Sequence, residues 1–290
     1  MSSNIAKPIV TIGLPVYNGE KFIEKCLSSI LNQTRTDFIL IISDNASEDK
    51  TAEICKEFLE NDTRIKYFKQ EKNIGILENF YFILNESKSP YFVWIAVDDF
   101  WQKDFLEKNI DELLNNKKYV GSISKIDYYD IEKNTYEVNA TRSKIKKYHS
   151  YDKYPKFGKY IDRVSYYLRL NRAENVYALF KTDLLKKCIE KPTIGVDLKI
   201  LLNILKYGEI NVLDEILMKR SGKGKSSRYS SKNILTLFND YGILGKIFPF
   251  LSFSIWVFKN LGPRVFFKNL DYLLLINGAA TKYQIKHGFK

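Results

Sequence analysis

The feature that most constrains the fold is a regular alternation of two sequence patterns over the first 115 residues. Short apolar runs rich in β-branched residues occupy positions 9–14, 38–43, 65–68 and 91–97. Stretches with helical spacing of apolar residues follow them, at positions 20–31, 49–60, 77–84 and 104–114. The first pattern favours strands and the second favours helices. The alternation therefore predicts repeated strand–helix units with short connections.

The predicted strands are almost continuously apolar, which is typical of strands buried on both faces in a mostly parallel sheet. Helical spacing returns at 197–205, and 209–218 favours one more strand-and-turn unit. Residues 127–167 are rich in Tyr and Lys with weak periodicity, so we predict irregular structure there. We therefore expect a doubly wound, Rossmann-like α/β fold with a mixed sheet.

Polar or turn-forming residues follow each of the four predicted strands. They are Pro15, Tyr17 and Asn18 after the first, Asp44 and Asn45 after the second, Asn73 and Gly75 after the third, and Asp98 and Asp99 after the fourth. Any one group could be an ordinary turn or helix cap. Because ligands of open parallel sheets bind beyond the carboxyl ends of the strands, the four groups together predict one binding rim.

Asp98 and Asp99 are the most informative of these residues. Two adjacent carboxylates after an apolar strand repel each other unless a cation or hydrogen-bond donors lie close by. Mg²⁺ or Mn²⁺ takes oxygen ligands from one or two carboxylates and from phosphate groups. The pair therefore predicts a divalent-metal site for a diphosphate-bearing substrate, with a cap for the helix at 104–114 as the alternative.

Four longer segments of the chain, and one short Asn-Ile-Gly motif, resemble the glycosyltransferases of family 2, which have the GT-A fold. Three lie near the N-terminus, together with Asn-Ile-Gly at 73–75: IVTIGLPVYNGEKFIEKCLSSILNQT from Ile9, ILIISDNASEDKT from Ile39 and YFVWIAVDDFW from Tyr91. The fourth, GVDLKILLNILKYG from Gly195, is similar to the family segment that carries the catalytic carboxylate.

The resemblance implies a role for each site residue. Asp44 would contact the base or ribose, Asp98 and Asp99 would form the diphosphate and metal site with Asp99 as direct ligand, and Asp197 would be the general base. The remaining nucleotide-sugar contacts would come from Pro15, Tyr17, Asn18, Asn45, Asn73, Gly75, Lys223, Lys225 and Arg228. For Asp197 the alternative is a carboxylate that stabilises a helix N-terminus.

The activity that the resemblance implies is inverting transfer of a sugar from a nucleotide-diphosphate sugar, with UDP-sugars favoured, to a glycan or lipid-linked glycan. Surface polysaccharide or glycoconjugate synthesis is the expected setting, and nucleic acid is not an expected partner. A sugar nucleotidyltransferase is the first alternative, although it should carry a glycine-rich basic loop where this chain has Pro15-Val16-Tyr17-Asn18. The second is a non-catalytic basic module that binds nucleic acid or membrane, since Ala96 and Val196 replace acids found in many relatives.

The positive charge is concentrated near the C-terminus. The whole chain has a net charge of +12, and residues 221–290 carry eleven Lys or Arg against two Asp, a net +9. We therefore divide the chain into a catalytic domain, 1–220, and a basic, largely helical region, 221–290. Its apolar runs at 247–258 and 272–276 suit either an interfacial membrane helix or packing against the protein.

Cysteine is sparse, with Cys26, Cys55 and Cys188 in no metal-ligand or disulfide spacing, which favours a reducing compartment. The first residues, MSSNIAKPIV, contain no apolar leader pattern. We therefore expect a cytoplasmic protein, located at the inner face of the plasma membrane if the basic region binds lipid.

Overall fold

The structure is a computed structural model that describes residues 7–130, 135–136, 159–170, 173–191, 193, 195–221 and 242–287. The chain divides into two compact units. The first comprises Met1–Tyr154, Tyr177–Lys187 and Gly208–Gly222, and the second comprises Pro155–Val176, Cys188–Tyr207 and Lys223–Lys290. The division of function at residue 220 stays a prediction.

The first unit contains one sheet with flanking helices. Its strands are β1 (Val10–Val16), β2 (Phe38–Asp44), β3 (Ile65–Lys69), β4 (Tyr91–Trp94), β5 (Phe100–Trp101), β6 (Tyr119–Asp130), β7 (Thr135–Tyr136), β8 (Leu179–Lys181) and β9 (Glu209–Ser221). Its helices are α1 (Ile23–Leu31), α2 (Thr51–Asn61), α3 (Ile76–Glu86), α4 (Phe105–Asn115) and α6 (Thr182–Cys188), whose last residue belongs to the second unit.

The sheet has the strand order β3-β2-β1-β4-β8-β6-β9-β5, with β7 paired to β6. The β3-β2-β1-β4 half is parallel, as the apolar runs predict. In its register Val16 pairs with Asp44, and Asp44 pairs with Lys69. The carboxyl ends of β1, β2 and β3 therefore lie at one edge, and the predicted α/β sheet is confirmed. That ligands bind at this edge stays a prediction.

The core of the parallel half explains why its strands are apolar throughout. Every residue of β1 is buried. Side chains of α3 and β4 pack so closely on β1 that a Cβ added at Gly13 would lie 2.7 Å from the Cγ2 atom of Ile83 and 2.8 Å from the Cζ atom of Phe92. Only glycine fits at this position of the strand, because the neighbouring side chains already fill the space.

The other half of the sheet is built around β9. This strand runs parallel to β6 over its whole length and antiparallel to β5, where Phe100 pairs with Lys219 and Trp101 with Met218. The register shifts within the β6–β9 pair mark irregularities of the ladder. Because β5 follows Asp98 and Asp99 directly, the β5–β9 pairing brings the end of β9 beside these two carboxylates.

The second unit is helical in its described residues. Its elements are α5 (Tyr160–Leu170), a 3₁₀ helix (Ala173–Tyr177, whose last residue belongs to the first unit), α7 (Val196–Ile204), α8 (Gly242–Ile247), α9 (Leu251–Leu261), α10 (Pro263–Lys268) and α11 (Leu270–His287). The predicted helical C-terminal region is thus confirmed. Among these residues no helix has the length and apolar character of a membrane span.

The prediction of irregular structure at 127–167 was wrong at both ends. Strand β6 continues to Asp130, and α5 begins at Tyr160. Val164, Tyr167 and Leu168 of α5 are fully buried. This stripe spans scarcely more than one helical turn, so its periodicity is weak in the sequence although it packs as a normal amphipathic helix.

Candidate functional site

The loops after β1 and β2 are tied together by hydrogen bonds. The Asn18 backbone amide donates to Ser47 Oγ at 2.9 Å, and the Glu48 amide donates to Asn18 Oδ1 at 2.9 Å. The Gly19 amide donates to Thr51 Oγ1 at 2.8 Å. Two adjacent loops that follow different strands therefore form one rigid platform at the carboxyl edge of the sheet.

Two residues of this platform have left-handed backbone conformations, Asn18 with φ of 49° and Ala46 with φ of 60°. Asn tolerates this region, whereas an alanine there costs about 1–2 kcal/mol. Strain of this kind persists where surrounding contacts hold it, and it is often found at ligand sites. Pro15 is buried in β1, whereas Tyr17 is exposed and Asn18 is half-buried.

Asp44 is fully buried at the end of β2, and protein groups occupy both of its carboxylate oxygens. Its Oδ1 atom accepts from the Ser47 amide at 2.8 Å, and its Oδ2 atom accepts from the Tyr67 hydroxyl at 2.7 Å. Burial, followed by the bond to Asp44, raises the pKa of Tyr67, so the phenol stays a donor. The predicted contact of Asp44 with a base or ribose stays a prediction.

Asn45 joins the β2 loop to the loop after β3. Its Nδ2 group donates to Asn73 Oδ1 at 3.0 Å and to the Gly75 carbonyl at 3.3 Å, and its Oδ1 atom accepts from the Ile74 amide at 2.8 Å. Gly75 has φ of +93°, a conformation that favours glycine. The predicted rim residues of the second and third strands are therefore brought into direct contact.

Asp98 and Asp99 lie just beyond β4, and Asp99 is the more deeply placed at 2% exposure. Asp99 Oδ2 accepts from Arg220 Nε at 3.0 Å, and Asp99 Oδ1 accepts from the Ser221 amide at 3.2 Å. Burial raises the pKa of Asp99 to about 7, with Asp98 adding to the rise and Arg220 and Ser221 opposing it. The two donors thus offset only part of the cost of burying this charge.

Arg220 is a site residue that the sequence did not reveal. Its guanidinium carbon lies 4.3 Å from the centre of the Tyr177 ring, and the side chain is 17% exposed. Nearby, Lys25 and Lys219 have Nζ atoms 4.0 and 5.9 Å from the centre of the Phe100 ring. The only local signal is an arginine at the end of a strand pattern, whereas its contact with Asp99 depends on the β5–β9 register.

The cations predicted from the polar segment after β9, Lys223, Lys225 and Arg228, lie outside the described residues. Arg220, which precedes this segment, is described. Within the described residues, Arg220 is the cation that contacts Asp99, and Lys25 and Lys219 lie against the ring of the neighbouring Phe100.

Asp197 lies in the second unit, exposed in the first turn of α7. The helix begins after Gly195, which has φ of +72°. Two residues later Lys199 is 3% exposed, and its Nζ atom donates to Thr193 Oγ1 at 2.6 Å and lies 5.6 Å from the Trp256 ring centre. A helix N-terminus stabilises negative charge, so this placement agrees with a base and with the simpler helix-stabilising alternative.

The residues of the acidic pair fit a divalent ion in donor type. No cluster of three or more His, Cys, Asp and Glu that could hold a metal occurs in the described part of the chain. Asp98 and Asp99 supply carboxylate oxygens, and an oxygen that accepts one hydrogen bond retains another lone pair. Mg²⁺ and Mn²⁺ commonly complete such a shell with water and phosphate oxygens, so a small protein donor set suffices.

The sequence matches a known family over most of the first unit. Residues 11–187, more than half of the chain, match "Glycosyl transferase family 2". The chain belongs to glycosyl transferase family 2. The match begins in β1 and ends in α6, so it includes the platform and the acidic pair.

Curated relatives share the N-terminal part. The chain is 34% identical over 120 residues to Glycosyltransferase GlyA of Streptococcus pneumoniae, which covers 41% of this chain and 17% of that protein. It is 32% identical over 108 residues to the putative teichuronic acid biosynthesis glycosyltransferase TuaG of Bacillus subtilis, covering 37% and 43%. The matches thus span less than half the length of these relatives.

Solved structures of glycosyltransferases share the fold. S. aureus TarS 1–349 in complex with UDP-GlcNAc superposes with a TM-score of 0.56 at 18% identity, covering 77% of this chain and 61% of that one. The mannosyltransferase PcManGT of Pyrobaculum calidifontis, in complex with GDP-Man and Mn²⁺, gives 0.59 at 16% identity, covering 95% and 72%. The expected GT-A-like fold is confirmed.

Proposed function

We propose that the chain is an inverting glycosyltransferase that moves a sugar from a nucleotide-diphosphate sugar to a hydroxyl group of a glycan or lipid-linked glycan. The observation that carries this proposal is the arrangement at the carboxyl edge of the sheet, where a linked loop platform occurs together with an acidic pair of a half-buried Asp98 and a buried Asp99. A family 2 sequence and a GT-A-like fold support it.

The platform would bind the nucleoside. Tyr17 is exposed and offers an aromatic ring for stacking on a base. Asn45 holds the Asn73–Gly75 loop against the β2 end, which would fix the width of the pocket. Pro15, Asn18 and Asp44 complete the proposed set, Asp44 through lone pairs that Ser47 and Tyr67 leave available.

The acidic pair would bind the diphosphate through a divalent ion held by Asp98 and Asp99. Mg²⁺ or Mn²⁺ bound there would neutralise negative charge on the leaving diphosphate, a contribution often worth several kcal/mol. Arg220 and Lys219 lie on the strand beside the pair and add positive charge of their own. Lys223, Lys225 and Arg228 remain predicted contacts of the same diphosphate.

Asp197 would act as general base. Its carboxylate would take the proton of the acceptor hydroxyl while that oxygen bonds to the anomeric carbon and the bond from this carbon to the diphosphate oxygen breaks. A single displacement of this kind inverts the anomeric carbon. Proton removal by a positioned base typically contributes about 10²–10⁴-fold to rate.

The similar proteins support a nucleotide-sugar donor without fixing its base, because one is in complex with UDP-GlcNAc and another with GDP-Man and Mn²⁺. A UDP-sugar is our first choice. The likeness to a teichuronic acid biosynthesis protein supports a role in surface polysaccharide synthesis. We propose the cytoplasm as its location, at the inner face of the plasma membrane if the basic region binds lipid.

The donor site is tested by thermal unfolding in the presence of UDP, GDP and their sugars, with and without Mn²⁺ or Mg²⁺. A ligand at one hundred times its Kd stabilises the folded protein by about 2.7 kcal/mol. We expect stabilisation by one nucleotide class that needs the metal and is lost in Asp98→Asn. Asp111→Asn, an exposed carboxylate on α4, is the matched control and should keep it.

Transfer is tested separately by the release of free nucleoside diphosphate. Asp197→Asn should keep donor stabilisation but lose about 10²–10⁴-fold in turnover with an acceptor. If no nucleotide shifts the wild type under any metal condition, the donor site is refuted. Formation of a nucleotide sugar from a nucleoside triphosphate and a sugar phosphate would identify a nucleotidyltransferase instead.

A further inference from the structure

An exposed aromatic cluster lies where helices α9 and α10 meet, and we call it the aromatic corner. It consists of Phe258, Lys259, Arg264, Phe266 and Phe267. The three rings contact one another edge to face, with centroids 5.3 Å apart for Phe258 and Phe266 and 5.4 Å apart for Phe266 and Phe267. Phe258 is nevertheless 44% exposed and Phe267 64% exposed. Large apolar side chains grouped at the surface often mark an interaction site.

The corner follows from the local sequence. Helix α9 ends at Leu261, Gly262 turns the chain with φ of +92°, and Pro263 starts α10 at a position that suits proline. Val257, Leu261 and Val265 fill the buried side of the two helices. Phe258 and Phe267 therefore lie outside the buried side of these two helices.

The outer face of α11 has the same mixture of side chains. Leu273 and Asn277 are buried on its inner face. Three apolar side chains point away from that stripe and are about two-thirds exposed: Leu274 at 64%, Leu275 at 67% and Ile285 at 66%. On the same side of the helix, Lys282 and Lys286 are exposed. A helix with apolar residues and lysines side by side on its exposed face is typical of a bilayer interface, because lysine stems can lie along apolar surface while the ammonium groups reach the headgroups.

The net positive charge of helices α8 to α11 indicates an anionic partner. Residues 242–287 contain six Lys or Arg and one acidic residue, Asp271. Asp271 is bound by Arg169 at 2.6 Å. Within the described residues, Lys259 and Arg264 of the aromatic corner form no ion pair. Their charges are therefore available to an anionic surface.

We propose that the aromatic corner and the outer face of α11 bind the surface of an anionic lipid bilayer, with Phe258 and Phe267 entering the headgroup region. In a two-fold dimer the same surface of each copy would contact the other, so positive charges would face positive charges. This argues against a second copy of the chain as the partner of this surface. This inference goes beyond the transfer reaction and does not depend on it.

The test is co-sedimentation of the full chain with vesicles of phosphatidylcholine alone or mixed with phosphatidylglycerol, without nucleotide or acceptor. We expect binding to the anionic vesicles only, weakening with salt. Phe267→Ser should lower the affinity on the order of ten-fold, as loss of one inserted ring implies. Lys259→Gln with Arg264→Gln should lower it by roughly 30-fold, since each cation near an anionic surface contributes about 1 kcal/mol.

Matched controls come from the first unit. Leu114→Ser removes an apolar side chain that is 50% exposed, between the values of Phe258 and Phe267, and Lys66→Gln with Lys117→Gln removes the same charge; both should bind vesicles as the wild type does. An unchanged melting temperature in every variant shows that folding is intact. Equal binding by corner and control variants, or no binding to anionic vesicles at low salt, overturns the proposal. The proposal is also overturned if the wild type is a dimer that Phe267→Ser converts to a monomer. It is likewise overturned if the aromatic corner binds an oligonucleotide but does not bind the vesicles.

Discussion

Arg220 and Asp99, 121 positions apart in the chain, form an ion pair of 3.0 Å in which the carboxylate is 2% exposed. The pair connects the end of β9 to the segment between β4 and β5. Tyr177 flanks the guanidinium group, so the arginine side chain is held on two sides. The geometry of the acidic pair therefore depends on a strand that follows it by more than a hundred residues.

Arg220→Ala should strongly destabilise the first unit. The substitution leaves the Asp99 carboxylate buried without its cation, and breaking a buried pair from one side typically costs about 3–5 kcal/mol. Urea unfolding followed by fluorescence of Trp94 and Trp101, which are buried in this unit, measures the change. Arg35→Ala, which breaks a more exposed pair with Asp37, should cost about 0–1 kcal/mol. A loss below 1 kcal/mol for Arg220→Ala would show that the pair is not needed.

Ala46→Gly should stabilise the protein. Ala46 has φ of 60°, and relief of the left-handed strain is expected to contribute about 1 kcal/mol, less the entropy that glycine gains in the unfolded chain. Ala52→Gly in helix α2 is the control with the opposite sign, because glycine inside a helix costs about 1 kcal/mol. The melting temperatures of both variants, measured by calorimetry, test this prediction. A melting temperature below that of the wild type for Ala46→Gly would contradict backbone strain at Ala46.

Asn45→Ala should release the loop at 73–75. The Ile74 amide would lose its acceptor, so its hydrogen exchange should become roughly ten-fold faster, in line with one lost part-buried hydrogen bond. The Ser87 amide, which donates to the Leu84 carbonyl, should be unaffected. Asn61→Ala, at the exposed end of α2, is the matched control. Unchanged exchange at Ile74 would mean that other contacts hold the loop.

The thiols should resist labelling in the folded protein. Cys26, Cys55 and Cys188 are buried. Burial, followed by Asp44, raises the pKa of Cys55 to about 12, so its reactive thiolate is on the order of 10⁻⁴ of the population at pH 8. A disulfide reagent should therefore react with all three only after unfolding in urea, and rapid labelling of the native chain would contradict the burial.

The parallel half of the sheet could be predicted because the residues of each strand themselves carry the pattern that indicates a buried strand. Apolar runs such as the one at 9–14 are buried on both faces, so their composition alone indicates a central strand, although β1 continues through Pro15 to Val16. Polar residues after each run then collect at one edge by the geometry of parallel pairing, which is why Asn45 and Asn73 are found in contact. The predicted strand at 91–97 was too long, since β4 ends at Trp94 and the chain leaves the sheet before the acidic pair.

The features that sequence reasoning missed depend on distant pairing. Arg220 reaches Asp99 only because Phe100 pairs with Lys219, and nothing near residue 220 encodes that register. Helix α5 was missed for a different reason, because its buried stripe of Val164, Tyr167 and Leu168 spans scarcely more than one helical turn. The acidic pair itself was found, but its arginine partner was not.

The position of β9 between β6 and β5 has a consequence for biosynthesis. About 120 residues must be made after Trp101 before Ser221 emerges, which takes roughly 6–24 s at typical translation rates of about 5–20 residues per second. Until then β5, and the edge of β6 that β9 later covers, have no partner strand. Open strand edges readily pair with other chains. The nascent chain thus passes through an interval in which chaperone protection of these edges would govern its yield, and a chain truncated before β9 should aggregate.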